Sequence, residues 1–221
     1  MNQEPWMDAI VVLKITQTSE HFLKLDYISP SQGLTYGLLR QSKKQTSSAH
    51  ADLFDTAEIL SEPANKAKQV FLKNYTPLKK RTAIGNNYTQ LEYACHFANF
   101  LLDNVGDVPD PSDLYALTTQ TLDAFEQKFS PEMILLKALY RFLKIEGYPI
   151  DNGWWQSLSM ENKTLAKALL TTPLSLMKDN LELNSALSLH KHLCQWVQKE
   201  TELKIKHCLL YTSPSPRDSA L

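Results

Sequence analysis

The spacing of hydrophobic and polar positions changes near residue 80 of the chain. Before that point, short stretches of alternating apolar and polar residues are separated by turn-forming residues, as in half-buried β-strands. We predict five strands there, over residues 8–15, 21–28, 34–40, 51–60 and 68–75. Short strands spaced in this way are typical of a small barrel or a sandwich, and the pattern alone does not separate the two.

After residue 80 the apolar positions recur at the helical period. The pairs Asp110-Pro111 and Ser130-Pro131 are typical of an N-cap followed by the first residue of a helix. A capping box at Thr89 indicates another helix start. We predict helices over residues 89–103, 111–129, 131–146, 159–171 and 184–206. This half of the chain is therefore predicted to be a bundle of about five helices.

The helix predicted at 131–146 has apolar residues on two adjacent faces. One stripe contains Leu135, Leu139, Phe142 and Ile145, and the other contains Met133, Leu136, Tyr140 and Leu143. A helix with so wide an apolar surface requires neighbours on two sides, so we expect it at the centre of the bundle. The predicted fold class is α+β, with a small β-domain at 1–80 and an α-helical domain at 81–207.

The last residues of the chain have an unusual sequence. Residues 208–218 read "CLLYTSPSPRD", which matches the translation of a transposase sequencing adapter over its whole length. We therefore interpret 208–221 as a non-native tail and leave it out of the fold prediction. The alternative is a genuine flexible tail rich in serine and proline.

Composition and motifs exclude several classes of protein. The chain is 43% hydrophobic and 21% charged, as in ordinary globular proteins, and its apolar runs are too short to cross a bilayer. The N-terminus is a poor secretion signal, so we expect a cytoplasmic protein. The cysteines lack C-x-x-C spacing, and His190 and Cys194, with His192 nearby, offer two or three metal ligands but no fourth. A partly buried cysteine and a capped or solvated histidine are the simpler interpretation, so we predict no metal or cofactor. No catalytic or nucleotide-binding motif indicates an enzyme.

Charge is distributed unevenly although the net charge is only −1. Residues 1–90 hold 11 basic and 8 acidic residues, whereas residues 91–221 hold 12 and 16, so the first half is the better candidate for binding an anion. Tyr36 and Tyr75 are candidates for base stacking, although an aromatic residue in a strand more often lies in the core. The candidate phosphate contacts are Lys14, Lys24, Arg40, Lys43, Lys44, Lys66, Lys68, Lys73, Lys79, Lys80 and Arg81.

Each of these cations, taken alone, is most simply interpreted as a solvated surface charge. The hypothesis is that the set forms one groove. In the helical half, Lys137, Arg141 and Lys144 lie on one face of the 131–146 helix, which makes them candidates for binding an acidic peptide that ends in an apolar residue. The alternative is a polar stripe that keeps the helix soluble.

The order of these elements resembles the family of the bacterial DNA repair protein RecO. The likeness lies in the opening strand "AIVVLK" (Ala9–Lys14), in "SPEMILLKALYRFLKIEGYP" (Ser130–Pro149) and in the final helix "LHKHLCQWVQKETELKIK" (Leu189–Lys206). The resemblance implies an oligonucleotide-binding (OB) fold barrel followed by a helical domain. It also implies a non-enzymatic, nucleoid-associated recombination mediator that binds single- and double-stranded DNA, anneals strands and helps to load the RecA recombinase. The implied protein partners are RecR and the acidic C-terminal tail of the single-strand binding protein.

One departure from the family concerns zinc. Many members carry a four-cysteine module after the 131–146 helix, but the corresponding segment here, "IDNGWWQSLSMENK", has no cysteine. The chain is thus similar to the zinc-free members, and we expect Trp154 and Trp155 to stabilise this segment by packing. Two rival hypotheses stay open: a protein–protein adaptor with little DNA affinity, and an enzyme with a site between the two halves.

Overall fold

A computed structural model describes residues 5–41, 50–63, 70–106, 110–177 and 180–205. Five strands form a closed barrel, and a helical region follows it, which confirms the predicted α+β class and its OB-like barrel. The strands are β1 (Trp6–Ser19), β2 (Phe22–Ser29), β3 (Gly33–Arg40), β4 (Thr56–Pro63) and β5 (Val70–Lys79).

The barrel closes because β1 is long enough to pair on both of its edges. Residues Trp6 to Val11 pair antiparallel with β4, and residues from Val11 onward pair antiparallel with β2, with a register shift between Val12 and Lys14. The order around the barrel is β1-β2-β3-β5-β4, and the β3–β5 pair is parallel. This five-stranded arrangement is that of an OB fold, and a closed sheet leaves no free edge.

Alternate residues of the strands fill the barrel interior. They are Ile10, Val12, Leu25, Tyr27, Leu39, Ala57, Ile59, Leu72 and Tyr75. Gly37 lies in the middle of β3, where a Cβ atom would stand 2.6 Å from the Cδ2 atom of Leu72. The missing side chain therefore lets β3 and β5 approach each other.

The helical region contains five longer helices and two single-turn helices within the described residues. These are α1 (Thr82–Gly85), α2 (Tyr88–Asn104), α3 (Pro111–Glu126), α4 (Pro131–Ile145), α5 (Trp154–Ser157), α6 (Met160–Thr171) and α7 (Asn180–Glu200), with a 3-10 turn at Leu174–Leu176. No helix among the described residues is long and apolar enough to span a bilayer.

Two of the three predicted N-terminal caps are confirmed. The side chain of Asp110 accepts a hydrogen bond from the backbone N–H of α3, and Ser130 caps α4 in the same way. The predicted capping box at Thr89 is wrong. Asn87 caps α2 by accepting a hydrogen bond of 3.1 Å from the N–H of Gln90, so the helix begins before Thr89.

Helix α4 lies at the centre of the bundle, as predicted. It packs against α2, α3, α6 and α7. One face, with Ile134, Ala138 and Phe142, belongs to a core shared with α2 and α3. Another face, with Met133, Leu136, Leu139 and Leu143, belongs to a second core shared with α6 and α7. The wide apolar surface of α4 therefore packs against neighbouring helices on two sides.

The segment that lacks cysteines is held by aromatic packing. Trp154 is fully buried and donates a hydrogen bond of 3.0 Å from Nε1 to Nδ1 of His192. Trp155 donates from Nε1 to the hydroxyl of Tyr140 at 3.1 Å. The two indole rings meet edge to face with their centroids 5.4 Å apart.

One of the hydrophobic clusters joins the outside of the barrel to the helices. Val11, Leu13 and Ile28 point out of the barrel and pack in the same cluster as residues of α2 and α3. Phe54, in the turn before β4, joins the cluster with a positive φ of 66°. This turn occupies the first half of the strand predicted at 51–60, which is why β4 begins only at Thr56.

Candidate nucleic-acid interface

The outward-facing side chains of β1, β2 and β3 form a single surface, which we call the outer face. Because Leu23, Leu25 and Leu39 pack into the barrel interior, strand alternation places their neighbours outside. The outer face comprises Lys14, Thr16, Phe22, Lys24, Asp26, Tyr36, Leu38 and Arg40. It therefore unites three of the candidate phosphate contacts with one of the two candidate stacking residues.

The cations of the outer face differ in how strongly they are neutralised. Lys24 Nζ lies 2.7 Å from the Asp26 carboxylate and 4.6 Å from the centroid of the Tyr36 ring. Lys14 and Arg40 are exposed and form no ion pair with any residue in the described ranges. These two side chains are thus the cations of the outer face that a phosphate can approach without displacing a carboxylate.

The two candidate stacking residues have different environments. Tyr36 is 41% exposed on the outer face. Tyr75 is only 7% exposed, lies in the barrel interior and donates a hydrogen bond of 2.9 Å to the Asp55 carboxylate. Burial and the neighbouring Asp55 charge raise the pKa of Tyr75. Of these two tyrosines, Tyr36 is the one placed to meet a base.

The basic run at the junction does not form a free cationic cluster. Lys79 Nζ lies 2.7 Å from the Asp123 carboxylate of α3. Lys80 Nζ lies 3.7 Å from the buried Asp55 carboxylate and donates a hydrogen bond of 3.1 Å to the His50 carbonyl. Burial raises the pKa of Asp55, while the Tyr75 hydroxyl and the Lys80 charge act in the opposite direction.

Arg81 is a correction to the predicted set, because its side chain is 0% exposed. Its guanidinium donates to the Phe54 carbonyl at 2.6 Å and to Thr56 Oγ1 at 2.9 Å, and its Nε donates to Asp123 at 2.7 Å. A group so enclosed cannot contact DNA on the surface. It instead ties the end of the barrel to α3.

The remaining cations of the first half are placed as follows. Lys73 is exposed on β5 and lies 2.9 Å from the Glu62 carboxylate. Lys43, Lys44, Lys66 and Lys68 lie outside the described residues. The cations that the structure describes are thus interleaved with carboxylates, and the outer face is where that compensation is weakest.

A separate cavity of about 450 Å³ lies in the helical half, beside α3, α4 and the end of α6. Its apolar lining includes Leu117, Ala124, Ile134, Ala138, Leu170 and Leu174. Lys137 and Arg141 line it as well, whereas Lys144 does not. The structure therefore brings two of the three candidate partner-binding cations to one cavity, whose lining is part apolar and part polar.

The three cations of α4 have distinct partners. Lys137 Nζ donates to the carbonyls of Leu170 and Thr172 at 3.1 and 2.7 Å, and burial together with the Arg141 charge lowers its pKa. Arg141 is exposed and donates to Gln120 Oε1 at 2.6 Å. Lys144 lies 3.5 Å from the Asp151 carboxylate and 5.3 Å from the centroid of the Tyr140 ring, and it does not line the cavity.

Sequence reasoning missed two aromatic residues of the barrel surface, Phe22 and Phe71. The signal was present for Phe22, which shares the outward phase of its strand with Lys24 and Asp26. An aromatic residue is unusual on the outward side of a strand whose other outward side chains are charged. Phe71 is the second residue of β5. It lies too near the start of the strand for the alternation of apolar and polar residues to show which side of the sheet it faces.

His190 and Cys194 are both buried in α7, with the sulfur 3.6 Å from Nε2 of the imidazole. Burial lowers the pKa of His190 to about 4. This corrects the expectation of a capped or solvated histidine. Within the described ranges, no three His, Cys, Asp or Glu side chains converge in a way that would hold a metal ion.

Comparison with known proteins adds no family to these observations. No protein-family model matches the chain, and no curated protein sequence matches it. The interpretation of the outer face and of the cavity therefore depends on their geometry and chemistry.

Proposed function

We propose that this protein binds single- and double-stranded DNA through the outer face of its barrel. In this proposal it acts in the cytoplasm, at the nucleoid, as a non-enzymatic recombination mediator in DNA repair, promoting strand annealing and RecA loading. The observation that supports it most is the OB-like barrel whose outer face presents Lys14 and Arg40, both free of ion pairs among the described residues, on the same side of the sheet as the exposed Tyr36. Cations that track a phosphate backbone and an aromatic group that meets bases are the two requirements of a single-strand site.

The expected binding is moderate and strongly dependent on salt. Each phosphate that a lysine or arginine neutralises on a single strand contributes about −0.7 to the slope of log K against log salt. Lys14 and Arg40 together therefore contribute about −1.4 to the slope. Lys24 adds less, because a phosphate must compete with Asp26 for it.

The test is a salt titration of binding to a fluorescent single-stranded oligonucleotide, followed by anisotropy. The charge-reversed variant Lys14→Glu/Arg40→Glu should bind at least tenfold more weakly at low salt and show a slope reduced by about 1 to 1.5. Lys167→Glu/Lys199→Glu changes the net charge equally on exposed helical positions and is the matched control. Equal losses in both variants would mean that binding follows net charge alone and would refute the outer face as the site.

The cavity beside α4 supports a protein partner for the same molecule. An acidic peptide that ends in an apolar residue complements this cavity of mixed lining, because the apolar side chain can pack against Leu117, Ile134 and Leu174 while the carboxylates meet the exposed Arg141 guanidinium. We propose that the tail of the single-strand binding protein binds there. Partnership with RecR follows from the family resemblance alone.

A second candidate function is a protein–protein adaptor with little DNA affinity. The observation in its favour is the number of barrel and junction cations that already face a carboxylate within 4 Å: Lys24, Lys73, Lys79, Lys80 and Arg81. The adaptor predicts no oligonucleotide binding even at low salt, but binding of an acidic peptide that ends in an apolar residue. Arg141→Glu should abolish peptide binding, and Lys199→Glu should leave it unchanged.

A further inference from the structure

Two phenylalanine rings meet on the outside of the barrel. Phe22 opens β2 and pairs in register with Arg40, and Phe71 on β5 pairs with Leu38. Strand β3 lies between them, yet the ring centroids are only 6.0 Å apart, with an angle of 56° between the ring planes. The two rings thus bridge β2 and β5 across β3.

This pair does not belong to a hydrophobic core. The next residue along each strand, Leu23 and Leu72, packs into the barrel interior. Phe22 and Phe71 are themselves part-exposed and are absent from the three core clusters of the described residues. Single apolar residues on a surface are ordinary, but two aromatic rings packed on each other outside the core form a preassembled apolar patch.

The charges beside the pair indicate what the patch binds. Arg40 lies next to Phe22 across the β2–β3 pairing, is exposed, and has no ion pair within the described part of the chain. On the other side, Glu62 pairs with Phe71 in register but is itself bound to Lys73 at 2.9 Å. The patch is therefore bordered by an available cation and a neutralised carboxylate.

We infer that the Phe22–Phe71 pair stacks on an unpaired nucleobase while Arg40 binds the adjacent phosphate. This inference rests on the proposed DNA binding and specifies its substrate class, since the bases of a duplex are already stacked on each other and do not reach the rings. An acidic protein partner would match the cations but would not need two aromatic rings. The pair thus makes the barrel selective for single strands over duplex.

The experiment compares wild type with Phe22→Leu/Phe71→Leu, which keeps apolar bulk and removes the aromatic faces. Each protein is titrated with an oligothymidine, with an abasic strand of the same length, and with a duplex, all at one salt concentration. Stacking is worth enough per base that wild type should bind the oligothymidine about tenfold more tightly than the abasic strand. The leucine variant should bind both strands equally, and its duplex affinity should equal that of wild type.

Two control variants separate the outcomes. Tyr88→Leu removes an exposed aromatic residue from the helical half and should change nothing, and Phe22→Trp should retain the preference for bases, so that a general loss of folding in the leucine variant is recognised. If wild type binds the abasic strand as tightly as the oligothymidine, while the separate salt titration of oligonucleotide binding shows a steep slope, this inference is overturned and the proposed function stands. Wild type that binds none of the three ligands overturns both. If the leucine variant loses binding of the acidic peptide but still binds the oligothymidine as wild type does, the pair belongs to a protein-binding surface. That result also overturns the inference.

Discussion

Arg81 joins the two halves of the chain, and its removal should be costly. In Arg81→Met, the Phe54 carbonyl and Thr56 Oγ1 lose their donors, and Asp123 keeps only Lys79 as a cation. Breaking a fully buried ion pair costs about 3–5 kcal/mol, and a buried carbonyl left unpaired costs about 1–3 kcal/mol. Because the Asp123 side chain is 27% exposed and water can reach it, we expect a total near the lower end, about 3 kcal/mol.

The assay is urea unfolding followed by tryptophan fluorescence. With a slope of about 3 kcal/mol per molar urea, a loss of 3 kcal/mol lowers the midpoint by about 1 M. Lys79→Met is the matched control, because Lys79 contacts the same carboxylate but is 47% exposed, and an exposed pair is worth less than about 1 kcal/mol. If both variants lost the same small amount, Arg81 would be an ordinary surface cation and the structural assignment would be refuted. Under conditions where Arg81→Met is folded, it should also bind DNA as wild type does.

Three further outcomes follow from the packing. Gly37→Ala should lower the free energy of unfolding by about 1–3 kcal/mol because its Cβ meets Leu72, whereas Gly85→Ala, with open space around it, should be neutral or slightly stabilising in the same urea assay. His190, whose pKa burial lowers to about 4, should make wild type less stable as the pH falls from about 6.5 toward 4, because the unfolded chain then binds a proton that the folded chain does not. The free energy of unfolding falls by about 3 kcal/mol at the lower pH, and His190→Gln should lack that part of the pH dependence. If wild type and His190→Gln showed the same dependence of unfolding free energy on pH, the burial of a neutral imidazole would be contradicted. Trp154→Phe should cost about 1–2 kcal/mol by urea unfolding, since it removes buried volume and the indole bond to α7, and a change under 0.5 kcal/mol would contradict that packing.

Features that depend on neighbouring residues were predictable from the sequence. The caps at Asp110 and Ser130 are local, because a side chain bonds a backbone N–H two or three residues further on. The central position of α4 was also predictable, since it follows from the width of its apolar surface. The alternation of the first half was sufficient to indicate strands, but their order around the barrel depends on long-range pairing.

The site was harder to predict, because burial of charge is decided by distant partners. Arg81 follows two lysines, so the sequence places it in a surface patch. In the structure it is buried and donates a hydrogen bond to Asp123, 42 residues later in the chain. The predicted start of the strand at 51–60 was wrong for a similar reason, since β4 begins only at Thr56. Asp55 accepts a hydrogen bond from the Asp52 N–H, and Phe54 adopts a positive φ, which together make a turn that no alternation pattern reveals.

The cluster formed by Val11, Leu13 and Ile28 with α2 and α3 has a consequence for how the chain can be divided. A fragment ending at residue 80 would expose these side chains to water, so we expect that the β-domain does not fold on its own even though its sheet is complete. Heating should melt both halves in a single cooperative transition. Exchange of this β-domain with that of another protein would succeed only if α2 and α3 were transferred together with it.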